Sequence, residues 1–205
     1  MIDLILTDPP YGITNNHWDE TIDLDEMWDH FHSVLAPKGI VVMTTAQPFT
    51  SHVIISNPDE FKYEVIWHKT IGSGQLNINR RPLRIHENVL VFYKKFGTYN
   101  EQLGEGKPYT IHRNNSIYNT NYNKQIDHVS VNNGTRRPTT VITVPNPRIK
   151  GQHSTQKPEA LFEYLMLTYS NEGDVVYDPY EGSGTTGRVA EKLGRKYRGY
   201  DKYNG

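Results

Sequence analysis

Near the start of the chain, a carboxylate, two prolines and an aromatic ring closely follow an apolar run. Residues 4–6 are all large and apolar, which predicts a strand buried on both faces of a parallel sheet. Pro9 and Pro10 have no backbone N–H to donate to a neighbouring strand, so the strand must end before them. Asp8 and Tyr11 are therefore expected at the carboxyl end of the strand, where open α/β sheets bind their ligands.

The groups of this motif suit an exocyclic amine on a planar base. The Asp8 carboxylate and the Pro9 carbonyl are two acceptors, and such an amine has two N–H groups to donate. The two prolines stiffen the loop, and the ring of Tyr11 can stack on the base that carries the amine. The alternative interpretation is a strand end with a structural tyrosine, and the motif by itself leaves both open.

A second cluster of this kind follows another apolar strand, near the end of the sequence. Residues 175–177 predict that strand, and the sequence then runs into a helix through Asp178-Pro179-Tyr180-Glu181-Gly182-Ser183-Gly184-Thr185-Thr186-Gly187. The glycine spacing matches the dinucleotide-binding fingerprint, with Asp201 placed to bind a ribose. It is also close to a phosphate-binding loop, but Arg188 and Val189 stand where that loop requires Lys and Ser or Thr.

The charge beside the glycine turn argues against a dinucleotide. The Asp178 carboxylate at the strand end would repel a pyrophosphate. A cofactor with an adenosine, a ribose diol and a cationic amino-acid tail fits better, because Asp201 suits the diol and the acid near the turn suits the ammonium group. S-adenosylmethionine is such a molecule, and we favour it here, with a dinucleotide as the alternative.

Strands and helices alternate around the two motifs. Apolar residues at helical spacing predict the helices, and short apolar runs bounded by Pro or Gly predict the strands. The segment Pro37-Lys38-Gly39 is expected to separate the first helix from the second strand. The order predicts an α/β fold with right-handed parallel crossovers. The predicted strands are residues 4–6, 40–45, 63–68, 88–94, 175–177 and 197–200, and the predicted helices are residues 23–35, 53–56, 159–169 and a segment after Gly187.

Positive charge is concentrated in the middle of the chain, although the net charge is only −1. Residues 60–150 carry fourteen basic against six acidic side chains, whereas residues 1–59 carry one against nine. Within that middle segment, residues 97–150 are polar, show no clear period and interleave tyrosines with cations, a pattern that suits nucleic acid. The alternative is a solvated surface with a loose connecting insert. Our candidates for phosphate contacts are Arg80, Arg81, Arg136 and Arg137.

Several classes of function are excluded by composition. The chain has no cysteine, which excludes disulfides, cysteine-bound zinc and the covalent cysteine that carbon-5 cytosine methylation needs. His30 and His32 are two residues apart on a predicted helix, so they do not face one ligand, and we find no metal site. No apolar run approaches the ~20 residues of a membrane span. Without a recognisable signal peptide, a cytoplasmic protein with no membrane partner is expected.

Together, these motifs resemble the amino-methyltransferases of DNA, which make N6-methyladenine or N4-methylcytosine. Asp8-Pro9-Pro10-Tyr11 is similar to their catalytic motif, and the segment from Asp178 to Thr186 is similar to their cofactor motif. A third block, His153-Ser154-Thr155-Gln156-Lys157-Pro158, resembles their His-Pro-Thr-Gln-Lys-Pro box. The catalytic motif precedes the cofactor motif, which is the circularly permuted order of the beta class.

The resemblance implies a Rossmann-like S-adenosylmethionine-dependent methyltransferase fold, with a mostly parallel twisted sheet and helices on both faces. It implies a catalytic half in residues 1–96, a target-recognition insert in residues 97–150 and a cofactor-binding half in residues 151–205. It assigns the catalytic role to Asp8, Pro9, Pro10 and Tyr11, and cofactor binding to Asp178, Tyr180, Gly182, Ser183, Gly184, Thr185, Thr186, Asp201, His153, Thr155 and Lys157. Double-stranded DNA is the implied partner, and a homodimer and a partner restriction endonuclease are compatible with the family.

The activity that the resemblance implies is direct methyl transfer to the exocyclic amine of a base that has left the duplex. Adenine is favoured, because Asp at the first motif position is commoner with adenine in the family and Ser with cytosine. The alternatives are an N4-cytosine DNA enzyme, an RNA adenine enzyme and a degenerate methyltransferase that only binds DNA. Protein glutamine methyltransferases are a further alternative, but they resemble Asn-Pro-Pro-Tyr and would leave the basic insert without a role.

Overall fold

The computed structural model describes residues 1–12, 22–113, 128–146 and 157–200. The strands are β1 Ile2–Thr7, β2 Leu35–Thr45, β3 Phe61–Ser73, β4 Arg84–Phe92, β5 Gly104–Glu105, β6 Tyr109–Arg113, β7 His128–Asn132, β8 Thr135–Arg136, β9 Val141–Thr143, β10 Val175–Asp178 and β11 Lys196–Gly199. The α-helices are α1 Leu24–Val34, α2 Phe49–Ser56, α3 Glu159–Tyr169 and α4 Thr185–Lys192, and a short 3₁₀ helix spans Gln75–Asn77.

Seven strands form the central sheet, in the order β11-β10-β1-β2-β4-β3-β9. Four neighbouring pairs run parallel, namely β11 with β10, β10 with β1, β1 with β2, and β3 with β9. β4 is antiparallel to both of its neighbours, β2 and β3. The sheet is therefore mostly parallel, which confirms the predicted fold class.

Helices cover both faces of this sheet. Successive strand residues point to opposite faces and so pack in two separate buried clusters. Leu4 and Leu6 of β1 face a cluster that includes α3 and α4, whereas Ile2 and Ile5 face a cluster that includes α1 and α2. The central strands are thus buried on both sides, as the continuous apolar runs in the sequence predicted. The first cluster is called the α3/α4 face below.

The first helix begins as predicted, but the strand after it is longer than predicted. Asp23 caps the helix by accepting hydrogen bonds from the backbone N–H groups of Asp25 and Glu26. Pro37-Lys38-Gly39 does not separate helix from strand, because β2 already begins at Leu35. Instead, the pairing of β2 with β1 shifts between Ile2 and Leu4, so the three residues form an irregularity inside the strand.

β3 and β4 also extend beyond the residues that the sequence predicted, toward their connection. The predicted strands were 63–68 and 88–94, whereas β3 continues to Ser73 and β4 begins at Arg84. Charged and polar side chains in these extensions hide the apolar pattern by which a strand is recognised. Residues 70–86, which form most of these extensions and their connection, are called the β3–β4 arm below.

The chain divides into two compact units, one of residues 1–100 with 139–205 and the other of residues 101–138. The smaller unit lies within the polar segment 97–150 and contains two small antiparallel pairs, β5 with β8 and β6 with β7. β9 belongs to the larger unit, where it pairs with β3. Within the described residues, no helix is long and apolar enough to span a bilayer.

Candidate active site at the carboxyl ends of β1 and β10

The strand order creates a crevice at the carboxyl ends of two neighbouring parallel strands, β1 and β10. From β1 the chain crosses through α1 to β2, and from β10 it crosses through α4 to β11 on the other side. α1 and α4 pack on opposite faces of the sheet. The chain therefore leaves β1 and β10 in opposite directions, which is the arrangement that opens a ligand-binding crevice in α/β sheets.

Both predicted motifs lie at this crevice and are joined by a direct hydrogen bond. Thr7, the last residue of β1, donates from Oγ1 to Oδ1 of Asp178, the last residue of β10, over 2.6 Å. Asp8 follows Thr7, and the glycine turn follows Asp178. The two chemical motifs, 170 residues apart in the sequence, thus begin side by side.

Asp178 anchors the glycine turn through hydrogen bonds to its carboxylate. Its buried carboxylate accepts hydrogen bonds from Thr7, from Thr186 Oγ1 at 2.5 Å and from the backbone N–H of Tyr180 at 3.0 Å. Burial raises the pKa of Asp178 to about 6, against these hydrogen bonds, which lower it. The group is consequently ionised at neutral pH and titrates just below it.

The turn between β10 and α4 needs two glycines for its backbone. Gly182 and Gly184 have φ values of +52° and +70°, in the left-handed region that other residues rarely adopt. Gly184 is the N-cap of α4 and, as a glycine, has no side chain with which to cap the helix. Arg188 donates to the Ser183 carbonyl over 2.6 Å, which closes the turn on one side. Ser183 and Thr185 are 3.1 Å apart through their hydroxyl oxygens.

The catalytic candidate Asp8 is held by three side-chain donors. Tyr11 Oη and Thr44 Oγ1 donate to Asp8 Oδ1 over 2.6 Å and 2.5 Å. Lys157 donates to the other oxygen, Oδ2, over 2.7 Å. Both carboxylate oxygens therefore accept hydrogen bonds, which fix the orientation of the carboxylate group.

Lys157 belongs to a row of alternating charges that runs away from Asp8. Its ammonium lies between Asp8 and Glu87, at 2.7 Å and 3.4 Å, and Glu87 in turn pairs with Lys69 at 2.8 Å. Burial alone would lower the pKa of Lys157, but Asp8, Tyr11 and Glu87 raise it well above its usual value. Burial likewise opposes the ionisation of Glu87, yet Lys157 and Lys69 hold its pKa below the usual range. At Lys157 and Glu87 the attraction of the neighbouring opposite charges therefore outweighs burial, and both side chains stay charged.

Tyr11 lies beside this row with its hydroxyl on Asp8. Its ring stacks on Phe49 with the centroids 5.5 Å apart, and the Lys157 ammonium is 5.4 Å from the ring centroid. Burial and the negative charge of Asp8 raise the pKa of Tyr11 well above its usual value, so the hydroxyl stays a donor. Pro9 is buried and Pro10 half-buried, which fixes the loop between the two side chains.

The predicted cofactor residues are placed in part. The segment Asp178–Thr186 lies at the crevice, while Lys157 makes its contacts with Asp8 and Glu87. Asp201, His153 and Thr155 lie outside the described residues. Among the residues that the structure does describe, no cluster of three or more potential metal ligands occurs.

The four predicted phosphate contacts differ in their surroundings. Arg80 and Arg81 are exposed on the β3–β4 arm of the larger unit. Arg136 is bound within the smaller unit, where it donates to Asn132 and to the Lys107 carbonyl. Arg137, in the same unit, pairs with Glu101 at 3.0 Å and has an 85% exposed side chain.

Four residues at the site were not recognised from the sequence: Thr7, Thr44, Lys69 and Glu87. Thr7 is the last residue of β1 and Thr44 the last but one of β2, and hydroxyls near strand ends next to a motif are a usable, though common, signal. Lys69 and Glu87 lie just outside the predicted strands 63–68 and 88–94, so no pair between these strands was expected there.

Known proteins resemble this chain over nearly all of its sequence. A family described as DNA methylase matches residues 2–205. Type II methyltransferase M.HpaI of Haemophilus parainfluenzae is 30% identical, and the match covers 98% of this chain and 64% of that protein. DNA adenine methyltransferase YhdJ of Escherichia coli K12 is 28% identical, with 98% of this chain and 71% of that protein covered. The chain thus spans about two thirds of the length of these relatives.

Solved structures agree on the fold. The M1.HpyAVI–SAM complex superposes with a TM-score of 0.63 at 26% identity, covering 98% of this chain and 82% of that one. The cytosine-N4-specific PvuII DNA methyltransferase gives the same TM-score of 0.63 at 19% identity, covering 98% and 74%. At that lower identity the likeness concerns the fold alone.

Proposed function

The chain belongs to the DNA methylase family, and from this premise we propose that it transfers a methyl group from S-adenosylmethionine to N6 of adenine in double-stranded DNA. The observation that carries the proposal is the hydrogen bond between Thr7 and Asp178. Through it, an acceptor suited to an amine and a turn suited to the methyl donor lie at adjacent strand ends. M.HpaI and YhdJ, which are 30% and 28% identical to the chain over the aligned residues, support the same class of reaction.

The residues at the glycine turn fit a cofactor with a cationic tail. Asp178 is ionised at neutral pH and suits the ammonium group, whereas the backbone N–H groups at the start of α4, whose N-cap is Gly184, suit the carboxylate of the same amino-acid tail. We assign cofactor binding to Asp178, Tyr180 and the turn from Gly182 to Thr186, and also to Lys157, His153, Thr155 and Asp201, as the sequence motifs indicate. When bound, S-adenosylmethionine supplies an electrophilic methyl group on a sulfonium centre.

Asp8 and the Pro9 carbonyl act on the amine of the target base. The lone pair of an aromatic amine is delocalised into the ring, so the nitrogen is a poor nucleophile. Acceptance of both N–H bonds by these two oxygens favours a pyramidal nitrogen with a localised lone pair. Asp8 also stabilises the positive charge that develops on the nitrogen during transfer. Proton loss follows methylation, so Asp8 is not required to be a strong base.

The target base must leave the duplex to reach this site. Base flipping costs a few kcal/mol, and stacking on an aromatic ring offsets ~1–3 kcal/mol per base. Tyr11 is the ring available beside Asp8, and its contact with Phe49 holds it in position. We place target recognition in residues 97–150, where tyrosines and cations are interleaved.

The choice of adenine is tested by the product. The purified chain is incubated with tritiated S-adenosylmethionine and duplex DNA, and the modified nucleosides are identified by mass spectrometry. We expect N6-methyladenine. Exclusive formation of N4-methylcytosine would replace adenine by cytosine as the substrate, and labelled RNA without labelled DNA would contradict the DNA assignment. If neither adenine nor cytosine is labelled in any duplex, the proposed activity as a whole is contradicted.

Charge reversal on the β3–β4 arm is expected to weaken DNA binding. Arg80→Glu with Arg81→Glu removes two exposed cations, so the slope of log affinity against log salt should flatten by about 0.9 for each lost phosphate contact. Affinity is measured by fluorescence anisotropy with labelled duplex DNA at several salt concentrations.

The matched control for this experiment is Lys38→Glu. Lys38 is equally exposed, but it lies in the first half of β2, away from the strand end that carries the site. The control should bind DNA with the slope of the wild-type protein. An unchanged slope in the arginine variant would remove the arm from the DNA interface, and a parallel loss of cofactor affinity would indicate unfolding instead.

A further inference from the structure

The target amine must compete for Asp8 with three donors that are already in place. Oδ1 accepts two hydroxyl groups, from Tyr11 and Thr44, and Oδ2 accepts the Lys157 ammonium. The two hydroxyls hold the carboxylate in its orientation. The hydrogen bond from Lys157 to Oδ2 is therefore the one whose release makes room for an N–H donor without loosening Asp8.

Glu87 offers Lys157 a second acceptor. Glu87 Oε2 is buried and receives no hydrogen bond from any residue that the structure describes, although the Lys157 ammonium is only 3.4 Å away. A shift of about 0.5 Å would bring the two atoms to ordinary hydrogen-bond distance. The other oxygen, Oε1, is fixed by Lys69 at 2.8 Å, so the carboxylate is held ready.

The strand pairing explains why Glu87 faces this position. Glu87 lies opposite Trp67 in the antiparallel pair of β4 and β3, and Trp67 packs in the α3/α4 face. Alternate strand residues share a face, so Lys69 projects to the same side. Lys157 lies two residues before α3, which covers that side of the sheet. β3, β4 and the segment before α3 thus bring Lys69, Glu87 and Lys157 to the same side of the sheet.

We propose that Glu87 is a positioning residue that takes over the Lys157 hydrogen bond when the target amine binds, so that Asp8 Oδ2 becomes free to accept the amine. The proposal rests on the proposed function. Glu87 does not touch the base. It acts through Lys157, by accepting the hydrogen bond that the ammonium otherwise donates to Asp8.

Charge balance makes such an exchange feasible in a buried site. Two ammonium groups, Lys69 and Lys157, face two carboxylates, Asp8 and Glu87. Moving one hydrogen bond within the row leaves no charge without a partner, which avoids the large penalty of an isolated buried ion. It also withdraws positive charge from Asp8 at the stage when positive charge develops on the amine nitrogen. The attraction between Asp8 and that nitrogen is strengthened accordingly.

The direct test is Glu87→Gln, which keeps the shape of the side chain but removes its charge. Lys157 then has Asp8 as its remaining carboxylate in the row, and it competes with the amine. We expect kcat for methyl transfer to fall roughly 10–100-fold, as for loss of a charge-assisted hydrogen bond. The dissociation constant for S-adenosylmethionine, measured by calorimetry, should stay within about twofold of the wild type.

The matched control is Glu64→Gln, the same change on β3 at an exposed position that accepts from Asn88. It should leave kcat unchanged. A kcat of Glu87→Gln equal to that of this control would overturn the proposal. If Glu87→Gln melts below the assay temperature, Glu87→Asp replaces it, because it keeps the charge but withdraws the carboxylate. We then expect an intermediate kcat, and a wild-type value would again overturn the proposal.

A double variant separates positioning from a merely structural role. Adding Lys157→Met to Glu87→Gln removes the ammonium that competes for Asp8, so at saturating cofactor kcat should recover several-fold over Glu87→Gln alone. If the row only stabilised the fold, the second substitution would lower kcat and the melting temperature further, and that result would overturn the exchange. Absence of methyl transfer by the wild-type protein would overturn the proposed function and the exchange together. If the wild-type protein transfers methyl groups and Glu87→Gln has the same kcat as the wild type, the exchange alone would be overturned.

Discussion

Asp8→Ala is expected to lower kcat for methyl transfer by about 10²–10³, the usual effect of losing a positioned electrostatic partner in the transition state. The hydroxyls of Tyr11 and Thr44 and the Lys157 ammonium would lose their common acceptor, but the glycine turn is anchored separately through Asp178. The affinity for S-adenosylmethionine should therefore largely survive. Single-turnover transfer of a tritiated methyl group to DNA measures the first effect and calorimetry the second.

Asp8→Asn refines this experiment. An amide oxygen still accepts one hydrogen bond but carries no charge, so we expect impairment that is less severe than with alanine. At Tyr11, Tyr11→Phe removes only the hydroxyl and should lower kcat mildly. Tyr11→Ala removes the ring as well and should lower kcat severely.

Asp3→Ala is the matched control for the alanine variant. Asp3 lies near the amino end of the same strand and accepts from the Val175 backbone N–H over 2.9 Å. This variant should transfer methyl groups at close to the wild-type rate. Wild-type transfer by Asp8→Ala would overturn the catalytic assignment.

Asp178→Asn is expected to weaken S-adenosylmethionine binding by roughly 10–100-fold at pH 8, through loss of a charged acceptor. The wild-type affinity should also depend on pH, because burial raises the pKa of Asp178 to about 6. Above about pH 7 the carboxylate is ionised and the affinity constant. Below about pH 6 it protonates, and the dissociation constant should rise up to tenfold per pH unit. The asparagine variant should show no such rise.

The stability consequence of this pKa has the opposite sign. Because the folded-state pKa, about 6, exceeds the ordinary value of 3.8, the folded protein binds a proton more readily than the unfolded chain. The contribution of Asp178 to the free energy of unfolding is therefore most unfavourable above pH 6 and improves as the pH falls toward 3.8. A loss of cofactor affinity at pH 5.5 is thus not explained by unfolding through this group.

Calorimetry between pH 5 and 8 tests both statements, with Asp174→Asn as the control. Asp174 precedes the same strand at its other end and accepts from the Asn171 backbone N–H. A wild-type affinity that is flat over this range, or an asparagine variant at Asp178 with unchanged affinity at pH 8, would remove Asp178 from the cofactor site.

The sequence predicted the two motifs and the strand ends that carry them, because apolar runs stopped by proline or glycine have few alternatives. It also predicted the start of α1, because the helix was expected from residue 23 and the structure has its N-cap at Asp23. It did not show that β2 begins at Leu35, because a proline, an exposed lysine and a glycine look like a break when they form an irregularity within a strand. The short strands of the smaller unit were invisible for another reason. Strands of two to five residues with few buried side chains bury too little apolar surface to leave a period.

The charged row was the largest gap in the sequence-based site. Lys69 and Glu87 are polar residues at the ends of apolar runs, and they argued for ending the predicted strands early. Only the pairing of β3 with β4 and the position of Lys157 before α3 bring them to Asp8. A buried ion row of this kind depends on contacts between distant segments, so no local pattern identifies it.

The hydrogen bond between Thr7 and Asp178 also has a consequence for how this protein can diverge. A buried carboxylate tolerates the loss of a donor poorly, so neither residue can change freely on its own. Serine at position 7 would preserve the bond, whereas valine would remove it and should be accompanied by a compensating change at position 178. Among naturally diverged relatives, the two positions are therefore expected to co-vary, even though they are 171 residues apart in the sequence.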